Sequence, residues 1–278
     1  MMRITCILLA IGLMFSCSKG KGGAPDPAGP DTTGTSVKVN IKVMSYNIRR
    51  GIPMNSPDIN LQGTADVINA IKPDLVALSE VDRYTKRSGV TVDQAKELGR
   101  LTGMHYYFTK AINHDGGEYG DAVLSRFPIL DSIRFGLPVA VPGSELRSVA
   151  MITVEKEGMR FNFAATHLDH LSREENRIMQ ANEIVQHIVP QITHPLVIAG
   201  DLNALPASET ISILKKAFTP GCLNCAFTFP SDKPDRTIDY IMYRPANHFR
   251  VISYGPVTGK LASDHLPVVA VLQMTKKQ

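Results

Sequence analysis

The chain has 278 residues, 44% of them hydrophobic and 20% charged, which is the composition of a globular protein with enough apolar material for a sizeable core. Its formal net charge is +4 at pH 7. This mild positive balance suits a phosphorylated substrate, and the absence of a block of Lys and Arg residues argues against a basic tail for nucleic acids.

Residues 1–17 resemble an export signal. Arg3 precedes an apolar run from Ile4 to Phe15, which is too short for a permanent transmembrane anchor and fits a secretory signal peptide. The run ends in Ser16-Cys17, which resembles the lipobox of bacterial lipoproteins. The resemblance implies lipidation of the Cys17 thiol, and hence an exported protein anchored to a bacterial membrane on its periplasmic or cell-surface side. The alternative is a plain signal peptide with an incidental Cys.

The next segment, residues 18–36, is rich in Gly, Pro, Ser and Thr and has almost no apolar content, so we expect a flexible linker. Residues 37–278 remain for folding, roughly 240 residues, which is the size of one large α/β domain. No second linker of this kind follows. We therefore expect residues 37–278 to form a single domain, and we also expect a monomer.

Cys222 and Cys225 form a single C-x-x-C motif. One such pair supplies half of a zinc site at best, and no second Cys or His pair stands at zinc spacing nearby. Because an exported protein lives in an oxidising compartment, we expect a local disulfide instead. A redox role is the weaker alternative.

The first predicted elements are strands and helices in alternation. Alternating apolar residues from Val37 to Val43 predict a half-buried strand that ends at Asn47. "LQGTADVINAI" predicts a short helix that stops before Pro73. "DLVALSEVD" is a continuous apolar run and predicts a fully buried strand, ending in Glu80 and Asp82.

The middle of the chain predicts a second helix and three strands. "DQAKELGRLTG" predicts a helix with Asp93 as its N-cap and Gly103 as its C-terminal stop. "DAVLSRFPI" predicts a strand. "RSVAMITVEKEGMRFNFAATHLD" predicts a hairpin of two strands that turns at residues 156–158.

The clearest helical pattern is "SREENRIMQANEIVQHI", with an apolar stripe along one face and a capping box formed by Ser172 and Glu175. "PLVIAGDLN" predicts another buried strand. "TIDYIMYR", "FRVISYGPV" and "HLPVVAVLQM" predict the strands that complete the domain.

Polar residues of metal-ligand or acid–base type recur where these strands begin or end. They are Asn47, Glu80, His167, Asp201, Asn203, Asp239 and the pair Asp264 and His265. Each alone is more simply explained as a strand terminator or a surface polar residue. Because ligand sites of α/β proteins often collect at strand ends, the whole set indicates a shared pocket.

The residue types favour phosphoester chemistry at a hard cation. Carboxylate and amide oxygens are the ligands that Mg²⁺ prefers, whereas no Cys belongs to the set and the histidines are scattered, which argues against zinc. His265 is a natural general base because its ordinary pKa is about 6.5. Asp239 is the candidate carboxylate that would hold the His265 ring in one tautomer.

Seven motifs, in this order, resemble those of the endonuclease/exonuclease/phosphatase superfamily. They are "SYNIRRG", "LVALSEVD", "YGDAVLSRFPI", "ATHLDH", "VIAGDLN", "TIDYIMY" and "SDHLPVVA", and they run from about Val43 to Val271. The resemblance implies a DNase I-like fold: a four-layer α/β/β/α sandwich of two mainly antiparallel sheets packed face to face, with helices outside. The active site would lie at one end of the sandwich.

The same resemblance implies a metal site and a base. Glu80 would be the principal ligand of Mg²⁺, with Mn²⁺ as a substitute, and Asn47 and Asp264 would lie on the metal side. His265 would be the catalytic histidine and Asp239 the carboxylate paired with it.

It also implies a phosphate site. His167 and Arg147 would contact the phosphate, while Asp201 and Asn203 would position the water and the phosphate oxygens. Asp121 departs from the pattern, because relatives often have Asn at this place. Its negative charge would repel a phosphate unless a metal or Arg147 offsets it.

These observations predict an exported, metal-dependent phosphoester hydrolase that acts on a small or lipid-linked phosphodiester. The alternative is an extracellular nuclease of the DNase I type, with nucleic acid as substrate, although the mild net charge and the absence of Trp do not favour it. A third hypothesis is a lipid-anchored binding protein without catalytic activity, against which the full set of site residues argues.

Overall fold

The computed structural model describes residues 37–276. The predicted signal peptide (1–17) with its lipidated Cys17 and the predicted linker (18–36) lie outside the described residues. Within the described range, no helix has the length and apolar content needed to cross a membrane.

The described residues form twelve strands and four α-helices. The strands are β1 (Val37–Asn47), β2 (Leu75–Arg83), β3 (His105–His114), β4 (Gly117–Ser125), β5 (Asp131–Leu137), β6 (Arg147–Lys156), β7 (Met159–His167), β8 (Leu196–Asp201), β9 (Thr219–Pro220), β10 (Asp239–Arg244), β11 (Phe249–Pro256) and β12 (Val268–Lys276). The helices are α1 (Leu61–Ile71), α2 (Gln94–Thr102), α3 (Glu175–Glu183) and α4 (Glu209–Leu214).

The strands build two six-stranded sheets. The first has the order β11-β12-β1-β2-β4-β3 and the second the order β5-β6-β7-β8-β10-β9. Only the neighbours β1–β2 and β7–β8 run parallel among the described strands, and the other neighbours are antiparallel. Two mainly antiparallel sheets are what the sequence motifs predicted.

Three buried apolar clusters hold four layers together. Ile41 and Phe163 belong to the cluster between the two sheets. Leu98 of α2 belongs to the cluster that packs α1 and α2 on the outer face of the first sheet. Leu214 of α4 belongs to the equivalent cluster under α3 and α4 on the second sheet. Each element thus buries its apolar face against a neighbouring layer, and the predicted sandwich is confirmed.

Helix α2 shows that local sequence signals set its ends. The Asp93 side chain accepts a hydrogen bond from the backbone N–H of Lys96 at 3.0 Å, as expected of an N-cap. Gly103 ends the helix in the left-handed region, with φ 64°. Both predictions for this helix are confirmed.

The predicted capping box of the third helix is wrong. Helix α3 begins at Glu175, its N-cap is Glu174, and no side chain caps it. The Glu174 carboxylate instead accepts a hydrogen bond from the backbone N–H of Thr210 at 3.1 Å, so it binds the start of α4. The helix also ends early, because residues 184–188 form a π-helical turn.

The strands that the sequence did not predict include β3 and β5. Most residues of β5 are exposed, and β3 is the edge strand of the first sheet. A strand with one unpaired side and a weak apolar alternation depends on its neighbour for its conformation, so its own sequence carries little signal.

Candidate active site

The sheet topology brings the predicted residues to one edge of the sandwich. Because β1 and β2 are parallel, Asn47 and Glu80 lie at the same end of the first sheet. In the second sheet, His167 at the end of β7 pairs in register with Asp201 at the end of β8. The antiparallel strand β10 starts beside them, with Asp239 paired to Asp201.

The loop before β12 completes the edge. Strand β12 runs antiparallel to β1, so its start lies beside the end of β1 and the preceding pair Asp264 and His265 reaches the same place. Ser263 fixes this loop, because its hydroxyl donates a hydrogen bond of 2.7 Å to the carbonyl of Asn47.

A cavity of about 590 Å³ opens at this edge. Seven of the predicted site residues line it: Glu80, Arg147, His167, Asp201, Asn203, Asp264 and His265. The two others lie directly behind the lining, since Asn47 hydrogen-bonds Asp201 and Asp239 hydrogen-bonds His265. Residues spread over more than two hundred positions of sequence thus meet in one place.

The backbone is strained around this cavity. Four non-glycine residues at its edge have φ in the left-handed region: Arg49 (48°), Arg50 (59°), Glu80 (59°) and Asn203 (46°). At Glu80 the pairing register of β2 with β4 also shifts, which is a β-bulge. Bulges re-aim side chains, and strained conformations cluster at functional sites because the surrounding structure maintains them.

Asn47 connects the carboxylates of the two sheets. Its Nδ2 donates hydrogen bonds to Glu80 at 3.1 Å and to Asp201 at 3.0 Å, while its Oδ1 accepts one from the backbone N–H of Arg49 at 3.0 Å. The residue predicted to lie at the metal therefore orients two carboxylates in this structure.

Glu80 and Asp264 offer oxygens to the cavity and have cationic neighbours. Arg50 donates to Glu80 at 2.9 Å, and Arg49 lies 3.4 Å from Asp264. Their carboxylates are 20% and 24% exposed, so they are accessible from the cavity. Hard oxygen donors that attract positive charge fit a divalent cation such as Mg²⁺.

A second group also has the donor set of a metal site. The ligand atoms of Asp201, Asp239 and His265 all lie within 4.8 Å of one another, and all three residues are buried. Two carboxylates and one imidazole suit a divalent cation. The described residues thus fit a metal at this end of the sandwich.

His265 is held between two carboxylates. Its Nδ1 lies 3.0 Å from Asp239, and its Nε2 lies 3.6 Å from Asp201. Burial lowers the pKa of His265, but the charges of Asp239 and Asp201 outweigh burial, so its pKa is raised overall. Burial raises the pKa of Asp201 as well, and Asp239 adds to the effect although the charge of His265 opposes it. The cluster therefore retains protons at neutral pH.

The other side of the cavity carries His167, Arg147 and Asn203. Burial, followed by the charges of Arg147 and His265, lowers the pKa of His167 well below its usual value, so His167 is neutral. Asn203 Nδ2 lies 3.0 Å from Nε2 of His167. Within residues 37–276, the buried Nε of Arg147 has no hydrogen-bond partner, which leaves one donor of this guanidinium unused.

Asp121 is buried beside this group, and one of its oxygens accepts a hydrogen bond of 3.3 Å from Ser148. Burial raises the pKa of Asp121 to about 8, although the charge of Arg147 acts in the opposite direction. The carboxyl group of Asp121 is therefore mostly protonated at pH 7. The sequence led us to expect that its negative charge would repel a phosphate, but the protonated group does not do so at this pH.

Several cavity residues were not predicted. His170 lines the cavity and accepts a hydrogen bond of 2.9 Å from Arg147. Arg50, Arg87 and Tyr119 also line it. A signal existed for His170, since it stands three positions after His167 in the motif "ATHLDH".

The structure joins Cys222 and Cys225 in a disulfide. The bond lies in the segment between β9 and β10, where Thr237 donates to the carbonyl of Cys225 at 3.2 Å. Neither sulfur is thus free to bind zinc.

A two-sheet sandwich with carboxylates, a His–Asp pair and an Arg in one terminal cavity is the framework of a phosphoric ester hydrolase. The sequence profile of the endonuclease/exonuclease/phosphatase family matches residues 44–265. The chain belongs to this family. Members of the family typically depend on a divalent metal, in agreement with the donor sets above.

Individual proteins show the same similarity. The uncharacterized protein YbhP of Escherichia coli (strain K12) is 25% identical over 260 residues, which cover 88% of this chain and 100% of that protein. The crystal structure of an endonuclease/exonuclease/phosphatase from Beutenbergia cavernae DSM 12333 matches with a TM-score of 0.72 and 25% identity, covering 84% of this chain and 72% of that one. A mannosyl-6-phosphatase of Bacteroides thetaiotaomicron shares the fold, with a TM-score of 0.66, 19% identity, and coverage of 84% and 99%.

Proposed function

We propose that residues 37–278 form a metal-dependent phosphodiesterase that hydrolyses a small or lipid-linked phosphodiester, with Mg²⁺ as the cofactor and Mn²⁺ as a substitute. One observation carries the proposal: the Asp239–His265 pair adjoins Asp201, and a single Asn47 amide joins Asp201 to Glu80 across the two sheets.

The phosphate binds on the side of the second sheet. Arg147 provides a fixed positive charge with an unused buried donor, and neutral His167 and the amide of Asn203 provide hydrogen-bonding groups beside it. Such preorganised groups stabilise the charge that develops on the phosphate oxygens in the transition state.

The water is activated on the opposite side. Glu80 and Asp264 would hold the cation, which when bound supplies positive charge that neutralises the phosphate and lowers the pKa of nearby acids. His265 takes the proton of the attacking water. Asp239 stabilises the resulting imidazolium and fixes the ring, and Asp201 offers the next acceptor at 3.6 Å from Nε2.

The rim of the cavity supports an apolar group on the substrate. Leu171 and Leu205 both line the cavity and are 37% and 54% exposed, and the ring of Phe229 lies 4.6 Å from that of His265. Apolar side chains at the mouth of a polar site suit a phosphodiester with an apolar substituent, such as a lipid.

The direct test is hydrolysis of bis(p-nitrophenyl) phosphate by the full chain. We expect turnover with Mg²⁺ or Mn²⁺ and its loss in EDTA. His265→Ala should cut turnover by about a hundredfold or more. The matched control is His187→Ala, because His187 is exposed and contacts Glu183 outside the cavity. Activity that survives EDTA would show that the cation is not needed.

A panel of natural substrates then tests the class. It contains a phosphodiester lipid in vesicles, plasmid DNA and mannose 6-phosphate, the last because of the phosphatase that shares the fold. We expect lipid turnover to be fastest. Rapid nicking of the plasmid without lipid turnover would instead support the nuclease.

We also propose that the protein is an exported lipoprotein, anchored through Cys17 on the periplasmic or cell-surface side of a bacterial membrane. The signal-like run before this Cys supports the proposal. Mass spectrometry of the protein from membranes should find acylated Cys17 at the mature start. The Cys17→Ala protein should leave the membrane fraction, and an unmodified Cys17 would contradict the anchor.

A further inference from the structure

Asp82 lies two positions after Glu80 on β2, and its carboxylate has no solvent exposure. The structure buries Asp82 and gives it side-chain donors from three residues. Thr85 donates at 3.0 Å and Ser88 at 2.6 Å, and Arg87 donates from both Nε and Nη2 at 2.8 Å.

This arrangement fixes the guanidinium of Arg87. A bidentate pair with a carboxylate sets both the position and the plane of the group. The backbone N–H of Arg87 also donates to Asp115 at 2.7 Å, so the main chain is held from the β3–β4 turn. The guanidinium lies over the ring of Tyr119, 5.4 Å from its centre. Burial raises the pKa of Asp82, but the hydrogen bonds from Arg87, Ser88 and Thr85 and the charge of Arg87 outweigh burial and hold it below its usual value.

The outer edge of the guanidinium remains available. Asp82 engages Nε and Nη2, and among residues 37–276 no acceptor binds Nη1. The side chain is 33% exposed and lines the active-site cavity. Holding the loop does not require this charge in the cavity, because Thr85 and Ser88 already bind the loop to Asp82.

Arg87 reaches the cavity from the first sheet, whereas the proposed phosphate-binding residues Arg147, His167 and Asn203 lie at or near the ends of strands of the second sheet. Tyr119, on β4 of the first sheet, lies in the field of both Glu80 and Arg147, which act on its pKa in opposite directions. The Arg87 guanidinium lies over this ring, and both residues line the cavity.

We propose that Arg87 forms a second anion-binding subsite, so that the substrate carries a second phosphate group besides the phosphoester that reacts. Asp82 is its positioning residue, since it immobilises the guanidinium before the ligand arrives. The inference rests on the proposed function for the identity of the first subsite and adds the substrate class. Because Asp82 already holds one edge of the Arg87 guanidinium, the group loses little conformational freedom when it binds two oxygens of a phosphate.

The experiment measures binding with ligands that the enzyme cannot hydrolyse. Propane-, butane- and hexane-α,ω-diphosphonates are compared with the alkyl monophosphonates of equal length by isothermal titration calorimetry, with the full chain in Mg²⁺. For at least one length, we expect the diphosphonate to bind about tenfold tighter, beyond the statistical factor of about two. Arg87→Met should reduce this ratio to about two.

Arg83→Met is the matched control. Arg83 is 32% exposed and ion-paired to Glu118, but it does not line the cavity. We expect this variant to retain the tenfold ratio. Since Arg87→Met leaves the buried Asp82 unpaired, the double variant Asp82→Asn/Arg87→Met removes both charges, and it should lose the preference while keeping the fold by circular dichroism.

Two results would overturn the subsite: a ratio of about two at every length in the unmodified protein, or a tenfold ratio that persists in both Arg87 variants. These outcomes are separate from the proposed function. Hydrolysis of bis(p-nitrophenyl) phosphate without a diphosphonate preference refutes only the subsite. A preference that depends on Arg87, in a chain without hydrolysis, refutes only the phosphodiesterase.

Discussion

At the scale of single residues, the site is a group of ionisable side chains whose pKa values depend on one another. His265 lies between Asp239 and Asp201, and these charges raise its pKa in spite of burial. Without a cation, His265 is therefore protonated at neutral pH and cannot accept a proton from water. A base at this position needs a positive charge nearby to lower its pKa, which links the metal to the base.

Asp239→Asn should lower the pKa of His265. The variant keeps the shape of the side chain but removes the negative charge 3.0 Å from Nδ1. An NMR titration of the His265 ring without metal should show a lower pKa in the variant, and Mg²⁺ should lower it in the unmodified protein. Equal pKa values in the two proteins would mean that Asp239 does not set the charge of His265.

Asp121→Asn should stabilise the protein increasingly as pH rises. Because the folded pKa of Asp121 is about 8, the folded state keeps a proton that the unfolded chain loses above its ordinary value of 3.8. The free energy of unfolding of the unmodified protein therefore falls between these two pH values, whereas the Asn variant has no such loss.

We expect the difference in unfolding free energy, variant minus unmodified protein, to grow by about 2 kcal/mol or more from pH 5 to pH 8. Urea unfolding at several pH values measures it, with Asp58→Asn as the exposed control. A difference that does not change with pH would show that Asp121 is ionised in the fold. Activity at pH 7 should change little, since the carboxyl group is already neutral.

At the scale of elements, short connections align the site. The loop before β12 is tied to the end of β1 by Ser263, which donates to the carbonyl of Asn47 and accepts from the backbone N–H of His265 at 3.2 Å. This buried hydroxyl thus connects the loop that carries His265 to β1, whose last residue Asn47 hydrogen-bonds carboxylates of both sheets.

Ser263→Ala should cost about 1–3 kcal/mol of stability, because a buried donor and acceptor lose their partner. It should also lower kcat, since His265 loses its backbone anchor, while the pKa of the ring changes little. Urea unfolding and steady-state kinetics test this, with the exposed Ser253→Ala as the control. Full activity at reduced stability would show that the hydrogen bonds of Ser263 stabilise the fold but do not contribute to catalysis.

The sequence signals were strongest where an element determines its own conformation. Strand β2 was predicted because it is an unbroken apolar run, and α2 because Asp93 and Gly103 mark its ends. The edge strand β3 gave no such signal, since its pairing partner decides its conformation. The capping box at Ser172 failed because Glu174 binds the start of α4, a contact that only the tertiary fold creates.

The same distinction applies to the site. Polar residues at strand ends were predictable, because strand direction decides where they meet. Arg50 and Arg87 were not, because loop geometry brings them to the cavity. The protonation of Asp121 was also beyond the sequence, since it follows from burial rather than from residue type.

At the scale of the whole molecule, the site lies across the contact of the two sheets. Asn47 of the first sheet bonds Asp201 of the second, and the carboxylates of Glu80 and Asp201 share this amide. Each sheet thus contributes acidic groups that repel one another in the folded state unless positive charge intervenes. A cation bound there should stabilise the whole sandwich, because the unfolded chain has no such site.

Mg²⁺ should therefore raise the melting temperature. At a concentration of about a hundred times its Kd, a ligand of the folded state adds about 2.7 kcal/mol. For a domain of this size, that corresponds to a rise of roughly 5–10 °C. Scanning calorimetry with and without Mg²⁺ measures the shift, and Glu80→Gln should abolish most of it. The control Glu183→Gln, outside the cavity, should keep the full shift. No shift in the unmodified protein would show that Mg²⁺ does not bind the folded state. An equal shift in Glu80→Gln would show that the cation binds away from the contact between the sheets.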